Sequence, residues 1–226
     1  MVSQNNPTKS PTNPTARIMP IIPVLILLVV IFAAFTIPFI YETQTLWYKT
    51  GIDKTMLQTA QVAGLLALIL LMVQIILAIR AKILVKVYSM AKIVRLHRVN
   101  AILIVASSLI HLLLVLLPEG IDNLPIGKKY WPEMVGALLF LLILVNVAVS
   151  YLRTKLNLNY RRWKTVHQIT GYLIPLLACI HVLFVSESFE QTVPKYLLLG
   201  MAIITYLWVV KVKIQSSTKS ISANNK

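Results

Sequence analysis

Six stretches of this chain run on without a charged residue: 18–41, 55–79, 99–118, 134–152, 165–186 and 196–210. A helix needs ~20 apolar residues to cross a bilayer core about 30 Å thick. In hydrocarbon only helices and closed barrels satisfy their own backbone groups. Five of the runs are near or above that length. The sixth is short, and it crosses if Lys195, Lys211 and Lys213 reach towards the two interfaces. The expected fold class is an all-α membrane protein, a bundle of six transmembrane helices. Composition agrees, since 58% of the 226 residues are hydrophobic and only 13% are charged, about half the charge of a soluble domain.

The runs also set the expected organisation. Residues 1–17, rich in Pro, Thr, Ser and Asn, read as a disordered cytoplasmic tail. Residues 18–213 form the membrane domain and 214–226 a polar cytoplasmic tail. The first run is too long for the apolar region of a signal peptide and lacks a convincing cleavage site, so it reads as a retained helix. The single cysteine, Cys179, excludes an intramolecular disulfide and a cysteine-based metal site. Its apolar neighbours point to plain packing.

Lysine and arginine set the orientation. The N-terminal tail, the second and fourth loops and the C-terminal tail together hold seventeen of the 22. The other three loops hold five, and all seven acids fall on their side: Glu42, Asp53, Glu119, Asp122, Glu133, Glu187 and Glu190. Both termini are therefore expected in the cytoplasm, with the protein in the plasma or inner membrane. Trp47, Tyr48, Tyr130 and Trp131 mark the outer interface, and Tyr160, Trp163 and Trp208 the inner one.

The four histidines form two pairs, His97 with His111 and His167 with His181, each separated by fourteen positions inside an apolar run. Fourteen steps of ~100° fall about 40° short of four turns, so both rings of a pair share one helix face, ~21 Å apart along the axis. The residues between them match as well: Ala101 and Gly171, Ile104 and Ile174, Ser108 and Ala178. Small residues one turn inside each histidine clear room for something flat and wide, and the isoleucines divide an upper slot from a lower one. A planar macrocycle with two axial ligands, a haem, fits that pattern. Zinc or copper would need three or four ligands converging on one ion, whereas only two histidines meet at each level. A proton relay would normally include acids within the spans, and these runs hold none. Gln74, Asn100, Ser107 and Asn146 are midspan polar groups whose default role is interhelical hydrogen bonding.

The segments RLHRVNAILIVASSLIH (95–111) and YRRWKTVHQITGYLIPLLACIH (160–181) resemble the third and fifth helices of the ferric reductase and NADPH oxidase transmembrane domain. The likeness spans roughly residues 18–213. It rests on the two spaced histidine pairs, the basic residue after the first histidine and the aromatic shortly before the third. It implies a six-helix bundle with two stacked haems of b type, an inner one on His97 and His167 and an outer one on His111 and His181. It also implies that one or two of Arg95, Arg98, Arg161, Arg162 and Lys164 pair with haem propionates, with Arg95, Arg98 and Arg162 carried forward as candidates. Lys128, Lys129, Tyr130 and Trp131 are weaker candidates at the outer haem. Any of Arg95, Arg98, Arg161, Arg162 and Lys164 serves equally well as an inside-positive loop residue.

The full reductases continue past the sixth helix into flavin and nicotinamide domains, whereas here KVKIQSSTKSISANNK follows and no GxGxxG occurs. Flavin is therefore expected only on a separate partner, as in stand-alone bacterial members of the family. The first expectation is an electron-transfer cytochrome b. A cytoplasmic flavoprotein reduces the inner haem, and an extracytoplasmic acceptor (ferric iron, oxygen or a partner enzyme) takes the electron from the outer one. The alternative is a quinone-linked cytochrome b anchor of a periplasmic oxidoreductase, and a third reading is a haem-free transporter or scaffold with structural histidines. Membrane lipid is an expected partner and nucleic acid is not.

Overall fold

The computed structural model describes residues 21–43, 46, 48–120 and 126–224. The tail 1–17, Trp47, Asp122 and Lys226 lie outside the described residues. The described chain is all-helical, with no strand. Its long helices are α1 (Ile21–Ile40), α2 (Gly51–Ala78), α3 (Met90–Glu119), α4 (Trp131–Leu152), α5 (Tyr160–Val185) and α6 (Thr192–Asn224). A short helix, Lys82–Val87, joins α2 to α3. Single 3-10 turns, Lys128–Tyr130 and Glu187–Phe189, precede α4 and α6.

Among the described residues, five stretches are long and apolar enough to cross a membrane: Gly51–Ala78, Met90–Pro118, Lys128–Leu152, Tyr160–Val185 and Thr192–Gln215. Val24–Ile40 is apolar but shorter. The run from 196 to 210, short by its charge-free length, is thus one of the five. Charges near a helix end interrupt a count of apolar residues without interrupting the backbone ladder, so α6 continues through Lys211 and Lys213.

The two histidine-bearing helices start alike. The Ser89 side chain accepts from the Lys92 amide at 3.3 Å. Asn159 Oδ1 accepts from the Arg161 and Arg162 amides at 3.0 and 3.4 Å. These caps satisfy amides left unpaired at the first turn, and each stands eight residues before the first histidine of its helix.

Hydrogen bonds fix the topology. Near its C-terminal end α2 meets the start of α3 (Gln74 with His97), and near its beginning it meets His111 through Ala60. In the same way α4 meets α5 through Asn146 with His167 and Pro132 with His181. The arrangement is two antiparallel hairpins, α2–α3 and α4–α5, whose second helices run parallel and face each other. One buried cluster ties them together, with Leu68 and Met72 from α2, Ile104 from α3, Ile143 from α4, Ile174 and Cys179 from α5, and Leu198 from α6. Cys179 is a free, buried thiol in this cluster, in keeping with a packing role.

Large apolar side chains stand outside the core on every long helix, among them Phe32, Ile52, Ile102, Leu141, Ile169 and Ile204. Apolar patches of this extent are unfavourable in water and suit hydrocarbon. Pro175 lies within α5, which continues through it. Having no N–H, it cannot serve the Gly171 carbonyl. The Tyr206 hydroxyl of α6 donates to the next carbonyl, Tyr172, at 2.6 Å, so α6 ties down the weakened turn.

Candidate cofactor site

The facing helices bring the histidines together across the bundle in two couples. The ring centroids of His97 and His167 are 6.4 Å apart with planes at 71°, and those of His111 and His181 are 6.4 Å apart at 79°. Between the couples lie Ile104 and Ile174, only 2% and 3% exposed. An added Cβ at Gly171 would meet nothing within 4 Å, so the space that its small size was expected to leave is open.

Each ring is held by the helix that begins its hairpin. His111 Nδ1–H donates to the Ala60 carbonyl and His181 Nδ1–H to the Pro132 carbonyl, both at 2.8 Å. His167 Nδ1–H donates to Asn146 Oδ1 at 2.8 Å, with Ser150 Oγ at 3.0 Å. Asn146 Oδ1 also accepts from Thr170 at 3.2 Å. In these three rings Nε2 makes no hydrogen bond among the described residues. His97 is held the other way round. The Gln74 amide donates to its Nε2 at 3.3 Å and to its carbonyl at 3.1 Å, and Nδ1 is buried without a partner. Asn100 secures Gln74 by donating to its Oε1 at 2.7 Å and to the Leu70 carbonyl at 2.8 Å. The midspan amides Gln74, Asn100 and Asn146 thus make the expected interhelical bonds, and two of them orient histidines. Sequence gave no sign of that second task.

Trp163, expected at the inner interface, stacks on His167 with centroids 5.2 Å apart and planes 19° from parallel. Arg95 and Arg98 are exposed on the first turns of α3. Arg162 is exposed on α5 and borders a groove of about 530 Å³ that also reaches His167. The described residues contain no cluster of three or more His, Cys, Asp or Glu able to hold a metal ion.

The donor set suits a metal that takes two trans nitrogen ligands from the protein and its remaining ligands from elsewhere. Two imidazoles bound trans to one metal through bonds of about 2.0–2.1 Å, each nitrogen about 1.1 Å from its ring centre, hold their centroids about 6.2–6.4 Å apart. Both couples have that spacing. His111, His167 and His181 each donate from Nδ1 and keep Nε2 free, as orienting partners of metal-bound histidines do; at His97 the Nε2 lone pair accepts from Gln74, so that ring binds a metal only once Gln74 releases it. The outer couple therefore fits a bis-imidazole haem as it stands, and the inner couple fits one once Gln74 lets go of the His97 ring.

A helical membrane bundle with two levels of opposed imidazoles suits a membrane electron carrier. A family model described as ferric reductase like transmembrane component matches residues 63–179, just over half of the chain. The protein belongs to this family. Its class of function is accordingly transmembrane electron transfer, and domains of the family in general bind haem. Comparison with curated proteins and with solved structures returned no match.

Proposed function

We propose that the chain is a cytochrome b that carries electrons across the plasma or inner membrane through two haems, one on His97 and His167 and the other on His111 and His181. In this reading α1 completes a six-span bundle, and residues 1–17 and 214–226 are cytoplasmic tails. The observation that carries it is the equal 6.4 Å spacing of the two imidazole couples, one above the other. Held by these histidines, haem would supply a one-electron ferric/ferrous couple suited to electron transfer. The chain itself orients the imidazoles through Gln74, Asn146, Ala60 and Pro132, and packs Ile104 and Ile174 between the levels. Arg95, Arg98 and Arg162 lie within two turns of the lower histidines, where a guanidinium pairs readily with a propionate.

In this reading the loops and tails assigned to the cytoplasm hold seventeen of the 22 Lys and Arg and no acid, an electrostatic face for an acidic flavoprotein donor. The acceptor, whether ferric iron, oxygen or a partner enzyme, takes the electron at the opposite end. A second reading, a quinone-linked anchor of a periplasmic oxidoreductase, draws on the groove beside His167. Its apolar lining includes Val145, Val149 and Leu158, and Asn157 and Arg162 supply polar groups, as an amphipathic ring compound requires.

A dithionite-minus-air spectrum of the purified protein, with haem stoichiometry, tests the proposal. Two haems of b type per chain are expected, and a flat trace refutes it. Reduction by menaquinol against reduction by a flavodoxin-like donor then separates the two readings.

A further inference from the structure

The hairpins α2–α3 and α4–α5 repeat each other in residues that orient the histidines. Ala60, Gly64 and Gln74 on α2 correspond to Pro132, Gly136 and Asn146 on α4, each set with the same internal spacings of four and ten residues. The first and last members of each set are fourteen apart, as are the histidines they hold. One orienting helix therefore runs beside each histidine helix in matching register. It grips the lower ring by a side-chain amide and the upper ring by a main-chain carbonyl.

Those carbonyls belong to helices. In an α-helix the carbonyl of residue i accepts from the amide of residue i+4, so Ala60 is paired to Gly64 and Pro132 to Gly136. A carbonyl oxygen has a second lone pair, but a side chain on residue i+4 stands beside it. At both places that residue is glycine. A Cβ built on Gly64 would lie 2.9 Å from His111 Nδ1 and 3.1 Å from its Cε1. One built on Gly136 would lie 2.5 Å from His181 Cε1 and 2.9 Å from its Nδ1. Neither glycine has positive φ, so turn geometry does not explain them. Gly200, by contrast, has nothing within 4 Å of such a Cβ.

We infer that Gly64 and Gly136 are positioning residues for the outer imidazoles, each leaving bare the main-chain carbonyl to which the His111 or His181 Nδ1–H donates. A methyl group at either position turns the ring off its carbonyl, changing both the ring plane and the basicity of the nitrogen facing the partner ring. The inner rings, held by side-chain amides, are insensitive to these glycines. This inference rests on the haem reading for its spectroscopic consequence and on the structure alone for the contact.

The test uses the full chain carrying Gly64→Ala or Gly136→Ala, with Gly200→Ala as the matched control. The angle between axial imidazole planes governs the g anisotropy of a ferric low-spin centre, and the acceptor on the other nitrogen fixes that angle. One of the two low-spin EPR signals should shift in each glycine variant, with retention of one haem reduced about 10–100-fold and the other signal unchanged. The control should match wild type. Two haems with both signals and their retention unaltered in Gly64→Ala and Gly136→Ala would overturn the inference. Where Gly64→Ala lowers the yield of folded protein, adding His111→Ala should restore it, because the obstructed ring is then gone. A yield that stays low overturns the inference. A wild-type protein without haem refutes the proposed function, and the yield of the paired variants still decides the glycine contact.

Discussion

The Trp163 indole lies almost flat on the His167 imidazole, with centroids 5.2 Å apart, and the Arg153 guanidinium sits 5.1 Å from the indole centroid. The two rings are four residues apart on α5, the spacing at which helical side chains meet. A stacked pair is worth roughly 0.5–1.5 kcal/mol beyond its buried area, and here it covers one face of the imidazole that Asn146 holds at Nδ1. Trp163→Ala should therefore weaken retention of the inner haem about 2–10-fold, measured as haem kept on dilution. Trp163→Phe, which keeps an aromatic face, should lose much less.

Ligand assignment has a sharper readout. His111→Leu removes a ring nitrogen from the outer level while the His97 and His167 couple stays intact, so haem per chain should fall from two to one. His97→Leu should produce the same stoichiometry with the opposite level left, distinguishable by its midpoint potential. Unchanged haem content in either variant sinks the assignment.

Asn146 Oδ1 collects the His167 Nδ1–H and the Thr170 hydroxyl in one acceptor. Replacing it by leucine leaves the ring N–H with Ser150 Oγ alone at 3.0 Å, and a poorly satisfied buried donor costs about 1–3 kcal/mol. Asn146→Leu should lower inner-haem affinity roughly 10–100-fold and leave the outer haem untouched. Asn146→Asp should retain the haem and lower its midpoint potential, because a charged acceptor makes the imidazole a stronger donor. Redox titration of both variants checks this.

The pairing of the histidines was readable because the fourteen-residue period places both rings of a helix on one face whatever surrounds them. Their orienting partners were not. Ala60 and Pro132 act through backbone carbonyls, which every residue possesses, so no residue type marks them. Gln74 and Asn146 stood out only as midspan amides, for which a structural hydrogen bond is the ordinary role. Gly64 and Gly136 gain meaning only once a second helix is seen against them. Span limits were blurred at charged ends: Asp53 and Lys54 lie in the first turn of α2, before the charge-free run begins. Snorkelling ends of this kind extend a helix past its apolar core.

Tyr206 should matter to the bundle without mattering to the cofactor. Its bond to the Tyr172 carbonyl joins α6 to the turn of α5 that Pro175 weakens, and a hydrogen bond of this kind contributes about 1 kcal/mol net. Tyr206→Phe should lower stability in detergent by about that amount, measured by unfolding under increasing SDS. The visible spectrum and haem content should match wild type.

Orientation is expected to follow from where the charges sit. At the acidic end Glu42 pairs with Lys54 at 2.5 Å, but acids count little in orientation, so the bias rests on the split of Lys and Arg, seventeen against five. Part-exposed as it is, the pair adds little to stability. The basic residues nearest the spans decide which end is retained in the cytoplasm, and these are Arg80, Lys82, Arg95, Arg98, Arg153, Arg161 and Arg162. Alkaline phosphatase, active only outside the cytoplasm, should be active when fused after residue 123 and inactive when fused after residue 156 or at the C-terminus. The reverse pattern would put His111 and His181 at the cytoplasmic level and assign the donor face to the acidic end.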